Sequence, residues 1–403
     1  MRWSGGRRAP NLTTDMNRTN DTKPNTTSTA PQGLKQDAAA KKAPRLLLGS
    51  DVHLRQYTVV AQYDEQAPRP ARVFTPEAFL VWVAQQVKEG WRVHSCYEAG
   101  AFGYTLHRRL VALGVDNLVV RPRCWDEYGA GKKTDPRDAQ LLCEMLGRHL
   151  AGSHAALSVV RVPSEQEEQS RAMTRQRESL VADRARLAGR GKGAARYFAC
   201  ELPTNWWRPL AFKRLETQLP AHLFAQLSRW RAVLLELDKQ IAALTAQIQA
   251  CAPKELPTGL GALTSEALER EVCEWKRFGN RRQVGSYTGL IPGEHSSGEN
   301  RRQGAITKQG NPLMRHLLVE AAWRLTRFQP GYHAVKRHRE AMEQARAKGR
   351  GGRRRQLIVA LARTFVVDWW RIRTGQTTPE KLGLQMSRPA CAKTPALPAA
   401  PES

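Results

Sequence analysis

The chain has 403 residues, with 64 Lys and Arg against 37 Asp and Glu, a formal net charge of +27. That length calls for two or three folded units. A charge excess of this size repels itself unless a polyanion neutralises it, so nucleic acid is the expected partner. No run of about 18 apolar residues could span a bilayer, and no N-terminal apolar segment of signal-peptide type is visible. The seven cysteines are scattered without a C-x-x-C pair, which argues against a disulfide framework or a zinc site and fits a reducing cytoplasm.

Residues 1–44 are polar, rich in Thr, Asn, Arg and Lys, and read as a disordered tail. Residues 45–155 form a first domain. Strands are predicted at Arg45–Ser50, Tyr57–Tyr63 and Ala71–Thr75, followed by a helix from Pro76 to about Lys88. A strand at Val93–Tyr97 delivers Glu98, a helix spans Tyr104–Leu113, a strand spans Asn117–Arg121, and another helix begins near Asp135. The order βββαβαβα is that of an RNase H-like mixed sheet with helices on its faces.

Residues 156–255 read as helical. Ser164 and Glu167 have capping-box spacing at the start of a long charged helix. After a break around 203–220, a second helix carries Leu223, Leu227, Trp230, Leu234, Leu237, Ile241, Leu244 and Ile248 in steps of four and three. This coiled-coil seam must be buried, against the first helix or against another subunit. Residues 256–375 form a mainly helical domain that opens on a glycine turn at 256–264 and closes on a basic, then apolar helix ending in Trp369 and Trp370. Residues 376–403 read as a second disordered tail. The expected class is α/β plus α.

Four acids stand where strand and helix ends would aim them at one point. Asp51 and Glu98 follow neighbouring strands, and Asp135 and Asp138 share one face at a helix start. Such a cluster is unfavourable unless cations occupy it, and Mg²⁺ (or Mn²⁺) would resolve the repulsion while serving phosphodiester chemistry. Taken alone, Asp135-Pro136-Arg137-Asp138 is also a good helix start, with Asp135 as N-cap. Asp51 could be a turn residue and Glu98 a solvated acid. The coincidence of all four with one fold order, in a strongly basic chain, favours the metal site.

The strings Gly49-Ser50-Asp51, Tyr97-Glu98-Ala99 and Lys133-Thr134-Asp135-Pro136-Arg137-Asp138-Ala139 resemble the motifs of the DEDD transposases of the insertion sequence 110 family. Their N-terminal domain is similar to the junction resolvase RuvC. Ser50 stands where the family usually has an aliphatic residue, and Gly100-Ala101-Phe102-Gly103 replaces its frequent Thr-Gly; neither departure removes a carboxylate.

Residues 288–315 form a glycine-rich polar loop that closes on Asn311-Pro312, a strong helix start. A helix N-terminus beside Arg301, Arg302, Lys308 and Arg315 is a natural phosphate cradle, and Lys132 and Lys133 add cations ahead of Asp135. The loop holds Ser296 and Ser297. A serine in such a loop is most often turn chemistry. Residues 256–330, however, resemble the C-terminal domain of the same family through G-L-x-P at 289–292 and G-x-I-T-K-x-G-N at 304–311. In that family the serine before glycine in an x-S-G triplet is the nucleophile; it corresponds to Ser297, with Ser296 as its adjacent alternative.

The resemblance implies a recombinase of the prokaryotic cytoplasm, associated with the nucleoid. It would act on element and target DNA, be guided by a structured bridge RNA, and assemble as a homo-oligomer (dimer or tetramer). Two readings compete with it: a hydrolytic RuvC-like nuclease or junction resolvase using the same acids, and a non-catalytic nucleic-acid-binding protein.

Overall fold

The computed structural model describes residues 44–122, 134–294 and 303–387. Of the expected tail at 1–44 only Pro44 falls within them, and the last residues, 388–403, lie outside. The chain divides into two compact units between Arg161 and Val162.

In the first unit, β1 (Arg45–Val52), β2 (Tyr57–Tyr63) and β3 (Arg72–Phe74) are followed by α1 (Pro76–Lys88), β4 (Arg92–Glu98), α2 (Thr105–Ala112), β5 (Asp116–Val120) and α3 (Asp135–Leu150). The strands form one mixed sheet in the order β3-β2-β1-β4-β5. β1 is antiparallel to β2 and parallel to β4, and β5 is parallel to β4. β1 is central and covered on both sides, which is why Leu46, Leu47 and Leu48 run without alternation. Thr75 caps α1 by accepting from the Ala78 N–H, with Pro76 at the first helical position.

Successive side chains leave a strand on opposite faces, and this sorts the helices into two layers. Tyr57 meets Phe79 of α1 edge to face, and the Tyr97 hydroxyl accepts from the His107 N–H of α2. Leu47, Val60 and Cys96 face the other way and pack with Leu142, Cys143 and Leu146 of α3.

The second unit opens with α4 (Glu165–Tyr197), whose Ser164–Glu167 capping box is formed in both directions. α5 (Pro209–Leu215) precedes α6 (Ala221–Ala250). Arg177 donates to Thr245 and Arg184 to Asp238, the pairing of antiparallel helices. Leu227, Leu234, Ile241 and Ile248, seven apart, are buried, whereas Trp230, Leu237 and Leu244 are half-buried. The fully buried row of the heptad seam therefore packs within its own chain. Gly191 of α4 lies under Trp206, where a Cβ would come within 2.4 Å of the indole.

Next come β6 (Leu256–Pro257), α7 (Ala262–Val272), α8 (Arg281–Thr288), β7 (Pro292–Glu294), β8 (Gln303–Ile306), α9 (Pro312–Phe328), α10 (His333–Ala347), α11 (Gly351–Arg373) and β9 (Met386–Ser387). Their core contains Leu318, Leu325, Tyr332, Phe365, Trp369 and Trp370. Glu271 of α7 binds α4 and α9 together: Arg175 donates to it bidentately at 2.7 and 2.8 Å, and the Asn311 amide donates to it as well.

Residues 376–387, expected to belong to a tail, are instead built into this core. β9 pairs antiparallel with β6, Leu384 is buried, and Gln329 brackets Gln385 through both its amide groups. A two-residue strand has too few positions to display a period, so the Pro- and Thr-rich composition around it misled the sequence reading. No helix among the described residues is long and apolar enough to cross a membrane.

Candidate metal centre

Gly49 and Cys96 stand opposite each other in the parallel β1–β4 pair. Two residues on, Asp51 and Glu98 therefore leave the ends of adjacent strands on the same face. That face is the one α3 covers. The Cys96 thiol reaches the Leu142 carbonyl at 3.4 Å, and the Cys143 thiol faces the Leu47 carbonyl. A Cβ on Gly49 would lie 2.2 Å from the Ala139 carbonyl oxygen and 2.3 Å from the Cys143 nitrogen. Glycine is thus what lets the helix backbone rest directly on the strand. α3 runs antiparallel to β1, so Leu47 meets its third and fourth turns, Gly49 its second, and Asp51 its first.

The first turn of α3 carries Asp135 and Asp138. Thr134, not Asp135, occupies the N-cap position, and no side chain caps the helix. The capping explanation for Asp135 therefore fails; the residue is the first of the helix proper. His53 lies between the two elements, its Nε2 3.3 Å from Asp51 Oδ2 and 3.6 Å from Asp135 Oδ2. One ligand-type atom from each of Asp51, His53 and Asp135 falls within 4.8 Å of the others.

The electrostatics are those of a site short of positive charge. Burial pushes the Asp51 carboxyl above the usual carboxylate range; His53 pulls it down, and the charges of Asp135 and Asp138 push it up again. Carboxylate oxygens held close against their own repulsion suit a hard divalent cation such as Mg²⁺ or Mn²⁺. His53 adds one nitrogen donor. Sequence reading missed it, because a single histidine in a short turn has no spacing to mark it. Beside it opens a cavity of about 320 Å³ lined by His53, Tyr57, Tyr97, Phe102 and Arg109.

In the second unit, β7 and β8 form a hairpin that pairs Pro292 with Ile306 and Glu294 with Gln303. Ser296, Ser297, Arg301 and Arg302, together with Lys132 and Lys133 of the first unit, lie outside the described residues. What surrounds the hairpin is well defined. Gly289 is left-handed at φ +66°, and a Cβ on Gly310 would fall 2.4 Å from the Gly289 nitrogen. These two glycines of the loop motifs thus serve one backbone-to-backbone contact. Arg315 donates to the carbonyls of Thr288 and Lys308 at 3.2 and 3.1 Å, a use internal to the loop. Lys308 is exposed and left-handed at φ +56°. Asn311 caps α9 by accepting from the Met314 N–H.

Comparison with known proteins bears on both units. The family model described as Transposase IS116/IS110/IS902 family matches residues 256–337. A protein of Sinorhizobium fredii named as a transposase is 31% identical over 303 residues, which cover 68% of this chain and 75% of the relative. A protein of Pseudomonas aeruginosa named as a family 20 transposase is 29% identical over 229 residues, covering 53% of this chain and 66% of the relative. The transposase for insertion sequence element IS1111A of Coxiella burnetii is 24% identical over 233 residues, 55% and 62% of the two chains.

Proposed function

Because the chain belongs to the IS116/IS110/IS902 family of transposases, we propose that it recombines DNA with two separately housed groups: the carboxylates of Asp51, Glu98, Asp135 and Asp138, and the hydroxyl of Ser297. The observation that carries this reading is the seating of α3 on Gly49, which brings its acidic first turn beside the acidic strand end at Asp51. The strand order β3-β2-β1-β4-β5 supports reading the first unit as RNase H-like and close to RuvC.

Asp51, Glu98, Asp135 and Asp138, with His53 beside them, would hold Mg²⁺ or Mn²⁺. When bound, such a cation neutralises phosphate charge and lowers the pKa of a coordinated hydroxyl. The seryl oxygen of Ser297 attacks a DNA phosphorus and gives up its proton to solvent, while one bridging P–O bond to deoxyribose breaks and the released deoxyribose oxygen takes up a proton to become a free hydroxyl. The resulting phosphoserine ester keeps the bond energy for rejoining. By the same family resemblance, a structured RNA pairs with element and target DNA, and a homo-oligomer brings the serine of one subunit to the carboxylates of another.

The test uses purified full-length chain, its element-junction DNA and Mg²⁺. Ser297→Ala should abolish both cleavage and the covalent protein–DNA adduct trapped by denaturation, and Asp51→Asn should do the same. Retained cleavage by Ser297→Ala with loss in Asp51→Asn would replace the recombinase with a hydrolytic nuclease. No cleavage by the wild-type chain, with DNA binding unchanged in both variants, would leave only a binding protein.

A further inference from the structure

A second, larger cavity of about 1310 Å³ lies within the C-terminal unit, between the start of α8, the β7–β8 hairpin, α10 and α11. Arg281, Arg282, Arg337, Arg353, Arg355 and Arg363 line it. None of these six has a carboxylate partner among the described residues, although the same unit contains well-formed ion pairs such as Arg175–Glu271 and Arg373–Glu269. Six unneutralised guanidinium groups around one groove repel one another. That cost is tolerable where an anionic ligand offsets it. The field is visible on a neighbour: burial, then the Arg337 and Arg353 charges, push His338 below the ordinary histidine range.

The floor of the groove is organised as well as charged. Asp368, buried beneath it, accepts from the Tyr332 hydroxyl at 2.6 Å, contacts His333 Nε2 at 2.6 Å and holds Arg371 at 3.5 Å. His333 and Arg371 both line the groove, so one interior carboxylate fixes two of its polar groups. With Nε2 engaged, Nδ1 is the His333 nitrogen left for a ligand.

Shape and lining select the ligand. Gln356, Val359, Arg363, Val367 and Arg371 recur at three- and four-residue steps, one continuous face of α11. From Arg353 to Arg371 that face runs about 27 Å at 1.5 Å per residue. At about 3.4 Å per step this equals roughly eight base pairs of duplex. Among the described residues, no Phe, Tyr or Trp lines the groove. Binding sites for single strands depend on aromatic platforms for unstacked bases, and their absence here leaves contacts to the backbone alone.

We propose that this groove seats one sugar–phosphate face of duplex DNA through sequence-independent contacts. The choice of DNA as the polyanion rests on the transposase reading; the groove itself is defined by its own residues.

The test is binding of full-length chain to a labelled 30-base-pair DNA duplex across a salt series. The same series is run with a 30-nucleotide DNA strand and with a 30-nucleotide RNA. The triple variant Arg337→Gln, Arg355→Gln, Arg363→Gln is compared with Lys213→Gln, Arg229→Gln, Lys239→Gln, which removes equal charge from exposed positions elsewhere. Each lost phosphate contact should flatten the slope of log K against log salt by about 0.9. The groove variant should therefore bind duplex on the order of tenfold to a hundredfold more weakly than the control, with a slope lower by about two to three. Equal affinity and slope in the two variants would overturn the proposal. A loss confined to the RNA or to the single strand would overturn it as well. His333→Gln, which adds no cavity, gives a second reading should the triple variant fold poorly: a several-fold loss on duplex is expected, and no loss counts against the groove. Cleavage by wild-type chain that is lost in Asp51→Asn tests the transposase reading separately.

Discussion

The two units place charge by opposite means. In the first, acids of like sign are forced together by a rigid frame: two parallel strands, in register, with a helix backbone pressed onto Gly49. In the second, cations of like sign from α8, α10 and α11 are spread along one face of a groove. A frame of the first kind concentrates charge at a point, as bond-making chemistry requires. A face of the second kind distributes charge over a length, as holding a polymer requires. The difference predicts that disturbing the frame costs fold and chemistry together, whereas disturbing the face costs binding only.

The largest expected effect falls on the bonds that let the second unit act as one body. The Glu271 side chain is fully buried, yet it carries the Arg175 pair and the Asn311 amide. Glu271→Ala leaves both donors without their acceptor and opens a void. Because Arg175 is itself half-exposed, the cost is smaller than for a sealed pair, about 3 kcal/mol. Chemical denaturation followed by tryptophan fluorescence reads it, since most of the tryptophans lie in this unit. A change below about 1 kcal/mol would mean that α4 and α7 are held by apolar packing alone.

Gly49→Ala tests the frame. The added methyl would collide with backbone atoms that have no rotamer by which to yield. Overpacking of this kind costs about 1–3 kcal/mol, and relief requires α3 to lift away, taking Asp135 and Asp138 from Asp51. Cleavage should fall on the order of a hundredfold or more even where the variant stays folded, because misplacement of about 1 Å is that costly. Stability lost with full cleavage retained would separate the two roles that the structure joins in one residue.

Arg363→Gln tests the face in the same spirit. Its side chain lines the groove without a carboxylate partner. Duplex affinity should fall only several-fold and the salt slope by about one, with the unfolding midpoint unchanged. A large loss of stability would assign the residue to the core instead.

How much of this was legible depends on whether a feature has a period. β2 and α1 were bounded correctly from the sequence, since β-branched runs and a Thr-Pro-Glu start are local signals. The acids of the frame were legible because strand ends and a helix start announced them. His53 was not, since its meaning lies in two partners, one of them far along the chain. The heptad seam of α6 announced that it is buried but not by what; only the Arg184–Asp238 and Arg177–Thr245 pairs identify α4. The arginine groove is not legible as a unit, because its members come from α8, α10 and α11 and a sequence displays the stripe of only one helix at a time.

The smallest expected effect is a gain, and it comes from the layer of the first unit that the acids do not use. Ser50 precedes Asp51 and so points to the opposite face, with Leu46 and Leu48, where it is 1% exposed. Its hydroxyl and that of Ser95, on the neighbouring strand, have no hydrogen-bond partner among the described residues. A buried hydroxyl that gave up water for no bond is a net cost. Ser50→Ala removes that cost with little change of volume and should stabilise the first unit by about 1 kcal/mol. For a domain of this size that is a rise of roughly 4 °C in its calorimetric midpoint. Cleavage should be unaffected, because the side chain lies across the sheet from Asp51 and α3. A fall in stability would show that the hydroxyl is satisfied after all, and a fall in cleavage alone would mean that the two faces of β1 are not independent.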